Sequence, residues 1–211
     1  MNNQLWWYVA RSGGIVAWAL LAASVLWGLA LSTKISNGRP KPNWILDLHR
    51  FLGGLALVFT GVHVGSLILD SYVHFGLVEV LVPFTGTWHP AAVAWGVIGL
   101  YVLLAVELTS LARKRISKRL WRMTHFLSFP LFLLTTVHAL SAGTDRHTFL
   151  LRASIASATA LVTALTFVRL SKAERGPRRA PLAARRAPAA RIDASAIEVV
   201  AARSVQERSR L

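Results

Sequence analysis

Four histidines stand in two pairs with nearly equal spacing. His49 and His63 are 14 residues apart, and His125 and His138 are 13 residues apart. An imidazole ring can give one nitrogen to a metal while its other nitrogen donates a hydrogen bond to a neighbour. All four rings lie in long apolar stretches, where ionisable side chains are rare and usually functional. These two pairs are therefore the first candidates for chemistry in the chain.

Helix geometry tests how each pair projects from its helix. Fourteen residues make about 3.9 turns, so His49 and His63 point from nearly one face. Thirteen residues make about 3.6 turns, which separates His125 and His138 by about 140°. Pro130 lies between these two and removes a helical hydrogen bond, so we expect a kink or an unwound turn to correct the angle.

Five segments are apolar and long enough to cross a bilayer, which takes about 20 residues. They run at about 14–32, 45–69, 91–112, 121–142 and 149–168. The second and fourth segments hold the histidines and are separated by one crossing, so these two helices run in parallel. His49 should then face His125 at one depth of the membrane. By the same argument, His63 should face His138 at the other depth.

The predicted fold is an all-α membrane protein, a bundle of about five transmembrane helices at 14–168. A short outer segment, 1–13, precedes the bundle, and an Arg/Ala/Pro-rich tail, 169–211, follows it. The composition of this basic tail predicts a largely disordered segment. Lys and Arg concentrate in the tail and in the links 33–44 and 113–120. The positive-inside rule therefore predicts a protein of the cell membrane with its N-terminus outside and its C-terminus in the cytoplasm.

The composition supports this assignment to the membrane. The chain is 54% hydrophobic and 16% charged, and its net charge is +15. A basic chain can bind nucleic acid or anionic lipid. Here the apolar content favours membrane lipid as the partner and argues against nucleic acid. The sequence has no cysteine, which excludes disulfides, thiolate-bound zinc, cysteine-bound iron–sulfur clusters and covalently attached haem.

Two histidine pairs stacked across a bilayer suit two six-coordinate b-type haems. The pairs assign His49 and His125 to an inner haem, and His63 and His138 to an outer haem. Ligation by two histidines leaves no open iron position, which suits electron transfer. Two alternatives remain. The rings could pack helices through hydrogen bonds to Ser or Thr, in a haem-free scaffold or transporter subunit, or they could bind a bare metal, although neither level offers a carboxylate.

Several charged residues lie close to the predicted haem levels. Arg50 and Arg122 could bind inner-haem propionates, or their side chains could reach the interface from the helix ends. Arg11 could bind an outer-haem propionate or anchor the first helix at the interface. Glu107, in the third span, is expected to pair with Arg50 or Arg122.

The loop 70–90 is the only long outer loop. Its stretch Val73–Val82 could lie on the membrane surface as an amphipathic helix that covers the outer haem. Three polar residues of this loop could meet an acceptor such as chelated ferric iron: His74, Glu79 and His89. The reading that we favour is a surface cap with solvated histidines, and His147 is interpreted in the same way. Gly61 and Gly65 allow either close approach of a porphyrin or small-residue helix packing.

The segments LHRFLGGLALVFTGVH and THFLSFPLFLLTTVH hold the four histidines. They resemble the ferric reductase-like transmembrane domain, and the resemblance covers about residues 10–168. That superfamily includes the NADPH oxidases, which have the same histidine spacing, the metalloreductases and the haem subunit of the bacterial periplasmic methionine sulfoxide reductase system. The resemblance implies haem-ligand roles for the four histidines and electron flow from the cytoplasm to the exterior.

The sequence also departs from this superfamily. It has no GxGxxG or comparable nucleotide motif, and five crossings where several relatives have six. We therefore expect the electron donor to be a separate flavoprotein, a membrane quinol, or FMN or FAD bound by a partner or at the bundle. The sequence thus predicts a membrane cytochrome b, acting as a haem-dependent oxidoreductase or as its electron-transfer subunit. The alternative is a quinol- or flavin-fed haem subunit of a separate periplasmic reductase.

Overall fold

The computed structural model describes residues 3–33, 42–71 and 75–174. Within these ranges the chain forms α-helices and one short 3-10 turn, and these ranges contain no β-strand. The helices are α1 Asn3–Thr33, α2 Pro42–Leu69, α3 Leu77–Leu81, α4 Pro90–Leu111, α5 Lys118–Phe126, α6 Ser128–Ala142 and α7 Phe149–Glu174. The prediction of an all-α fold is confirmed.

Five stretches of the described chain are long and apolar enough to cross a membrane: α1, α2, α4, α5 with α6, and α7. The five predicted crossings are thus confirmed, and the first and last helices extend furthest beyond their predicted ends. α1 already begins at Asn3, and α7 continues past Val168 to Glu174, because its last residues include good helix formers such as Leu, Lys, Ala and Glu. The remainder of the predicted tail, 175–211, lies outside the described residues.

The fourth crossing is broken at Leu127, between α5 and α6. Pro130 has no N–H to give to the carbonyl of Phe126, so a continuous helix would lose a bond there. Instead, the Leu127 N–H donates to the carbonyl of Thr124 at 3.0 Å in a tighter turn, and α6 starts afresh at Ser128. Pro130 then falls in the first turn of α6, where proline is tolerated. The predicted interruption is confirmed.

The helices that carry the histidines pack on different neighbours. α2 packs along α1, whereas α6 packs on α4 and α1. The core between α1, α6 and α7 is apolar and is built around Trp18, Leu29, Phe132 and Ile155. The Trp18 indole N–H donates to Thr136 Oγ1 at 3.0 Å, which satisfies its buried polar atom. The histidine rings meet between α2 and the fourth crossing, where His125 lies on α5 and His138 on α6.

Side-chain contacts define the two ends of the bundle. At one end the Lys172 ammonium donates to the carbonyl of Thr33 at 2.9 Å, which joins the last turns of α7 and α1. A cation in this position also suits the negative end of the α1 dipole. The cluster Arg113–Arg115 and the first residues of α5 lie at this end, which we call the basic end. The opposite end holds Arg11, α3 and the link 143–148, and we call it the Arg11 end.

The helix over the Arg11 end is shorter than predicted. In the described part of this segment, 75–82, the helix comprises Leu77–Leu81, whereas the sequence suggested Val73–Val82. Pro83 follows Val82, and the residue before a proline avoids the helical region; Val82 is accordingly extended, with φ −111°. Residues 72–74, which include His74, lie outside the described residues.

Candidate functional site

The structure brings the four histidines together in the two predicted pairs. The ring centroids of His49 and His125 are 5.9 Å apart, and those of His63 and His138 are 6.3 Å apart. In each pair the ring planes are close to perpendicular, at 85° and 75°. With metal–nitrogen bonds of about 2 Å, two imidazoles on opposite sides of one metal have centroids about 6 Å apart. The spacing of both pairs therefore matches two axial ligands of one metal.

Three of the four rings are oriented by a backbone carbonyl. Nδ1 donates to the carbonyl of Ser24 from His49 (2.8 Å), to that of Ala10 from His63 (2.7 Å) and to that of Ala92 from His138 (2.8 Å). A carbonyl oxygen only accepts, so the hydrogen is on Nδ1 and the lone pair of the neutral ring is on Nε2. This second contact is the usual device that fixes the tautomer of a metal-binding histidine.

The same three rings lie directly against glycines of neighbouring helices. A Cβ on Gly14 would lie 2.9 Å from Nδ1 of His63, and one on Gly28 would lie 3.2 Å from Cε1 of His49. A Cβ on Gly96 would lie 2.7 Å from Cε1 of His138. A Cβ at Gly14 or Gly96 would force the ring to shift, and one at Gly28 would press on it by a few tenths of an ångström. This role of the glycines depends on contacts between helices and is not apparent from the sequence.

His125 is held differently from the other three rings. Its buried Nδ1 has no hydrogen-bond partner among the described residues, and the same is true of Trp121 Nε1. The ring stacks on Trp121, with centroids 5.1 Å apart and planes at 20°. The Arg113 guanidinium lies 4.5 Å from the centre of the Trp121 ring. Neither contact is apparent from the sequence.

A cavity of about 210 Å³ opens beside the pair at the Arg11 end. His63, His138 and Thr60 are among the residues that line it, and Phe75 and Trp88 cover it from the loop 70–90. The predicted cover over this level is thus present, formed by the loop as well as by α3. The walls are mainly apolar, which is the environment that a porphyrin needs.

The donor set fits haem better than a bare metal ion. No group of three or more His, Cys, Asp or Glu side chains that could hold a metal occurs in the described part of the chain. Each level offers two imidazoles, and a porphyrin supplies the four remaining nitrogens of a six-coordinate iron. The packing alternative fits less well, because carbonyls and not Ser or Thr hydroxyls take the hydrogen bonds of His63 and His138.

The arginines near the two levels have carboxylate partners or face outward. Arg50 is exposed and lies 3.6 Å from Asp47 on its own helix, and Arg122 is exposed. Arg11 donates to both carboxylate oxygens of Asp145 in the link 143–148. This pair was not foreseen, and both residues border the cavity at the Arg11 end.

The predicted ion pair of Glu107 is wrong. Among the described residues neither Arg50 nor Arg122 pairs with Glu107. Its carboxylate lies instead against Gly53 of α2, where a Cβ would be 2.6 Å from Oε1. The missing side chain of Gly53 gives the carboxylate this place between the helices.

The glycines Gly61 and Gly65 do not face the predicted haem. They lie about 120° to 160° around α2 from the histidine face, and a Cβ on either would meet nothing within 4 Å of the described chain. Within the described chain, neither glycine therefore lies at a close helix–helix contact.

The loop histidines make local contacts. The ring of His89 lies 4.7 Å from that of Trp88, and His147 Nε2 accepts from Arg146 at 3.1 Å. The Glu79 carboxylate lies beside Gly76 at the start of its own short helix. These contacts agree with a surface cap.

The ion pair of Arg11 with Asp145 gives a prediction about stability. The guanidinium hydrogen bond and charge lower the pKa of Asp145, so the pair stabilises the fold above the usual Asp pKa of about 3.9 and is lost as the pH falls below it. At pH 7, Asp145→Asn should lower the free energy of unfolding by about 1 kcal/mol or less. Unfolding in detergent at pH 7 and near pH 3 measures this, and the difference from wild type should shrink at low pH. Asp47→Asn is the control, since Asp47 is 73% exposed.

Comparison with known proteins agrees with this geometry. The model of the family described as "ferric reductase like transmembrane component" matches residues 13–136, more than half of the chain. The match includes three of the four histidines and ends two residues before His138. Neither the curated proteins nor the solved structures gave a match. The chain is an integral membrane protein, and it belongs to the family of ferric reductase-like transmembrane components.

Proposed function

We propose that this protein is a membrane cytochrome b that carries electrons across the bilayer through two haems. His49 and His125 would hold the haem iron at the basic end, and His63 and His138 would hold the one at the Arg11 end. The observation that carries the proposal is the presence of two imidazole pairs, with centroids 5.9 and 6.3 Å apart, at two depths of one bundle. A single pair could be a packing contact, since aromatic rings commonly meet at 4.5–7 Å. Two pairs on the same two crossings, with three rings held by carbonyls, favour ligation.

The distance between the two histidine pairs covers much of the thickness of the membrane. His49 and His63 are separated by about 21 Å along α2, against a hydrocarbon core of about 30 Å. Bound haem supplies a one-electron redox centre at each level. The protein holds each pair of imidazoles at a defined spacing, and at the Arg11 end mainly apolar walls surround the pair. Two such centres would divide the crossing into steps shorter than the full thickness of the membrane.

The charge distribution supports a direction of transfer. The basic end carries the cluster Arg113–Arg115 and the basic residues that begin α5, and the positive-inside rule assigns such an end to the cytoplasm. The N-terminus is then outside, and electrons enter at the basic end and leave at the Arg11 end. A separate flavoprotein, with FMN or FAD, or a membrane quinol is the proposed donor, and the acceptor lies outside.

Two arginines are proposed as partners of the haem propionates. Arg11 borders the cavity that holds His63 and His138, and it can share its five N–H donors between Asp145 and a propionate. Arg50 follows His49 directly and is held only at 3.6 Å by Asp47, so its side chain can turn to the haem at the basic end.

A haem count per chain tests the proposed function. Protein purified in detergent after expression with added haem should contain two haems per chain and show a low-spin b-type spectrum on reduction with dithionite. His147→Ala is the control, because that ring accepts a hydrogen bond from its neighbour Arg146 and belongs to neither pair, and it should leave both haems. One haem would reduce the proposal to a single-haem subunit, and no haem would overturn it in favour of a scaffold.

A further inference from the structure

His125 differs from the other three histidines in how firmly its ring is held. His49, His63 and His138 each donate from Nδ1 to a backbone carbonyl at 2.7–2.8 Å. His125 makes no such bond within the described chain, although its Nδ1 is buried. A ligand whose second nitrogen is bonded to a carbonyl is better oriented and more basic. His125 lacks both advantages.

The helix that carries His125 is also short, and it packs mainly on α4. α5 has nine residues, and none of them is fully buried in the described structure. It is separated from α6 by the break at Leu127. A small rotation of α5 would therefore lose few packing contacts, whereas His49, His63 and His138 lie on longer helices, α2 and α6.

Within the described chain two aromatic rings contact His125: its partner His49 meets it edge to face, and Trp121 stacks on it. Trp121 stacks on one face of His125, and Arg113 covers Trp121 in turn. Stacking of this kind limits tilting of the ring but permits it to slide or withdraw, because no directional bond is broken. Trp121 is thus the main positioning residue for His125, and its own buried indole N–H also has no partner among the described residues.

From these differences we propose that His125 is a displaceable ligand, so that the haem iron at the basic end can bind a small neutral molecule of the carbon monoxide type. This inference rests on the proposed function. In such an exchange, the imidazole of His125 would leave the iron as a neutral ring, the carbon of the incoming molecule would take its place, and no electron would be transferred. His49 would stay in position, because its Nδ1 is held by the carbonyl of Ser24.

Carbon monoxide binding to the reduced protein tests this inference. In the wild type, carbon monoxide should shift the spectrum of one haem per chain and leave the other haem six-coordinate. The double variant His63→Ala/His138→Ala, which keeps only the pair at the basic end, should retain this adduct. The double variant His49→Ala/His125→Ala should bind no carbon monoxide at its remaining haem.

A second pair of variants tests the role of Trp121. Trp121→Ala removes the stacking partner and should lower the carbon monoxide concentration for half-saturation about threefold to tenfold. Trp44→Ala is the matched control, since Trp44 is an exposed tryptophan at the start of α2 on the same end, and it should have no effect. A merely structural role of Trp121 would lower haem content without changing this concentration.

The outcomes separate this inference from the proposed function. If the protein holds two haems and neither binds carbon monoxide, the displaceable ligand is overturned and the proposed cytochrome function still stands. An adduct that disappears with His63 and His138 would also overturn it, because the weak ligand would then be at the other level. A protein without haem would overturn both proposals.

Discussion

Removal of the histidine pair at the Arg11 end should stop electron transfer across the membrane while the haem at the basic end remains. In His63→Ala/His138→Ala, we expect one haem per chain and a loss of transfer to the level of vesicles without protein. The reason is distance, since the remaining site lies about 21 Å along α2 from the level that was removed. The measurement is the reduction of ferricyanide trapped inside proteoliposomes by a reductant added outside.

Histidines of the loops supply the matched control for this experiment. His89 and His147 lie at the same end of the bundle, but their rings contact Trp88 and Arg146, outside the two pairs. The variant His89→Ala/His147→Ala should transfer electrons at the wild-type rate and keep two haems. Wild-type transfer in the variant without the pair at the Arg11 end would contradict the two-haem path, and loss of both haems would show that the bundle had collapsed.

The histidine pairs were predictable because they depend on quantities that a sequence contains. Apolar length gives the crossings, the number of crossings makes the second and fourth helices parallel, and helical spacing then matches His49 with His125. On a regular helix His125 and His138 would face different directions, so their alignment requires a break in the helix. Pro130 predicts such a break, because it has no N–H to donate. These are local properties or follow from counting.

The contacts that hold the rings were not predictable in this way. The carbonyl partner of His63 belongs to Ala10, 53 residues away, and any residue type could supply a carbonyl. The contact between Arg113 and Trp121 depends on the path of the turn between α4 and α5. For Glu107 the sequence suggested a basic partner, yet Arg50 points about 100° away from His49 around α2 and lies near Asp47 instead. Such choices are made by packing between helices.

The glycine against His138 should be as important as the histidine itself. A Cβ at Gly96 would lie 2.7 Å from Cε1 and 2.9 Å from Nε2 of His138. Gly96→Ala should therefore push the ring away from its partner His63 and lengthen its bond to the carbonyl of Ala92. We expect haem content to fall from two toward one per chain, with loss of the low-spin signal of that haem in the electron paramagnetic resonance spectrum.

Gly61→Ala is the control for the effect of adding a methyl group at a glycine of a transmembrane helix. Gly61 lies on α2 with open space where its Cβ would be, so this variant should keep both haems and gain slightly in helix propensity. The haem at the basic end serves as an internal standard in Gly96→Ala. If it persists, the bundle is folded and the loss reports the displaced His138 alone. If Gly96→Ala keeps two low-spin haems, α4 does not confine the ring of His138. Contact with Gly96 would then have no role in holding this ligand.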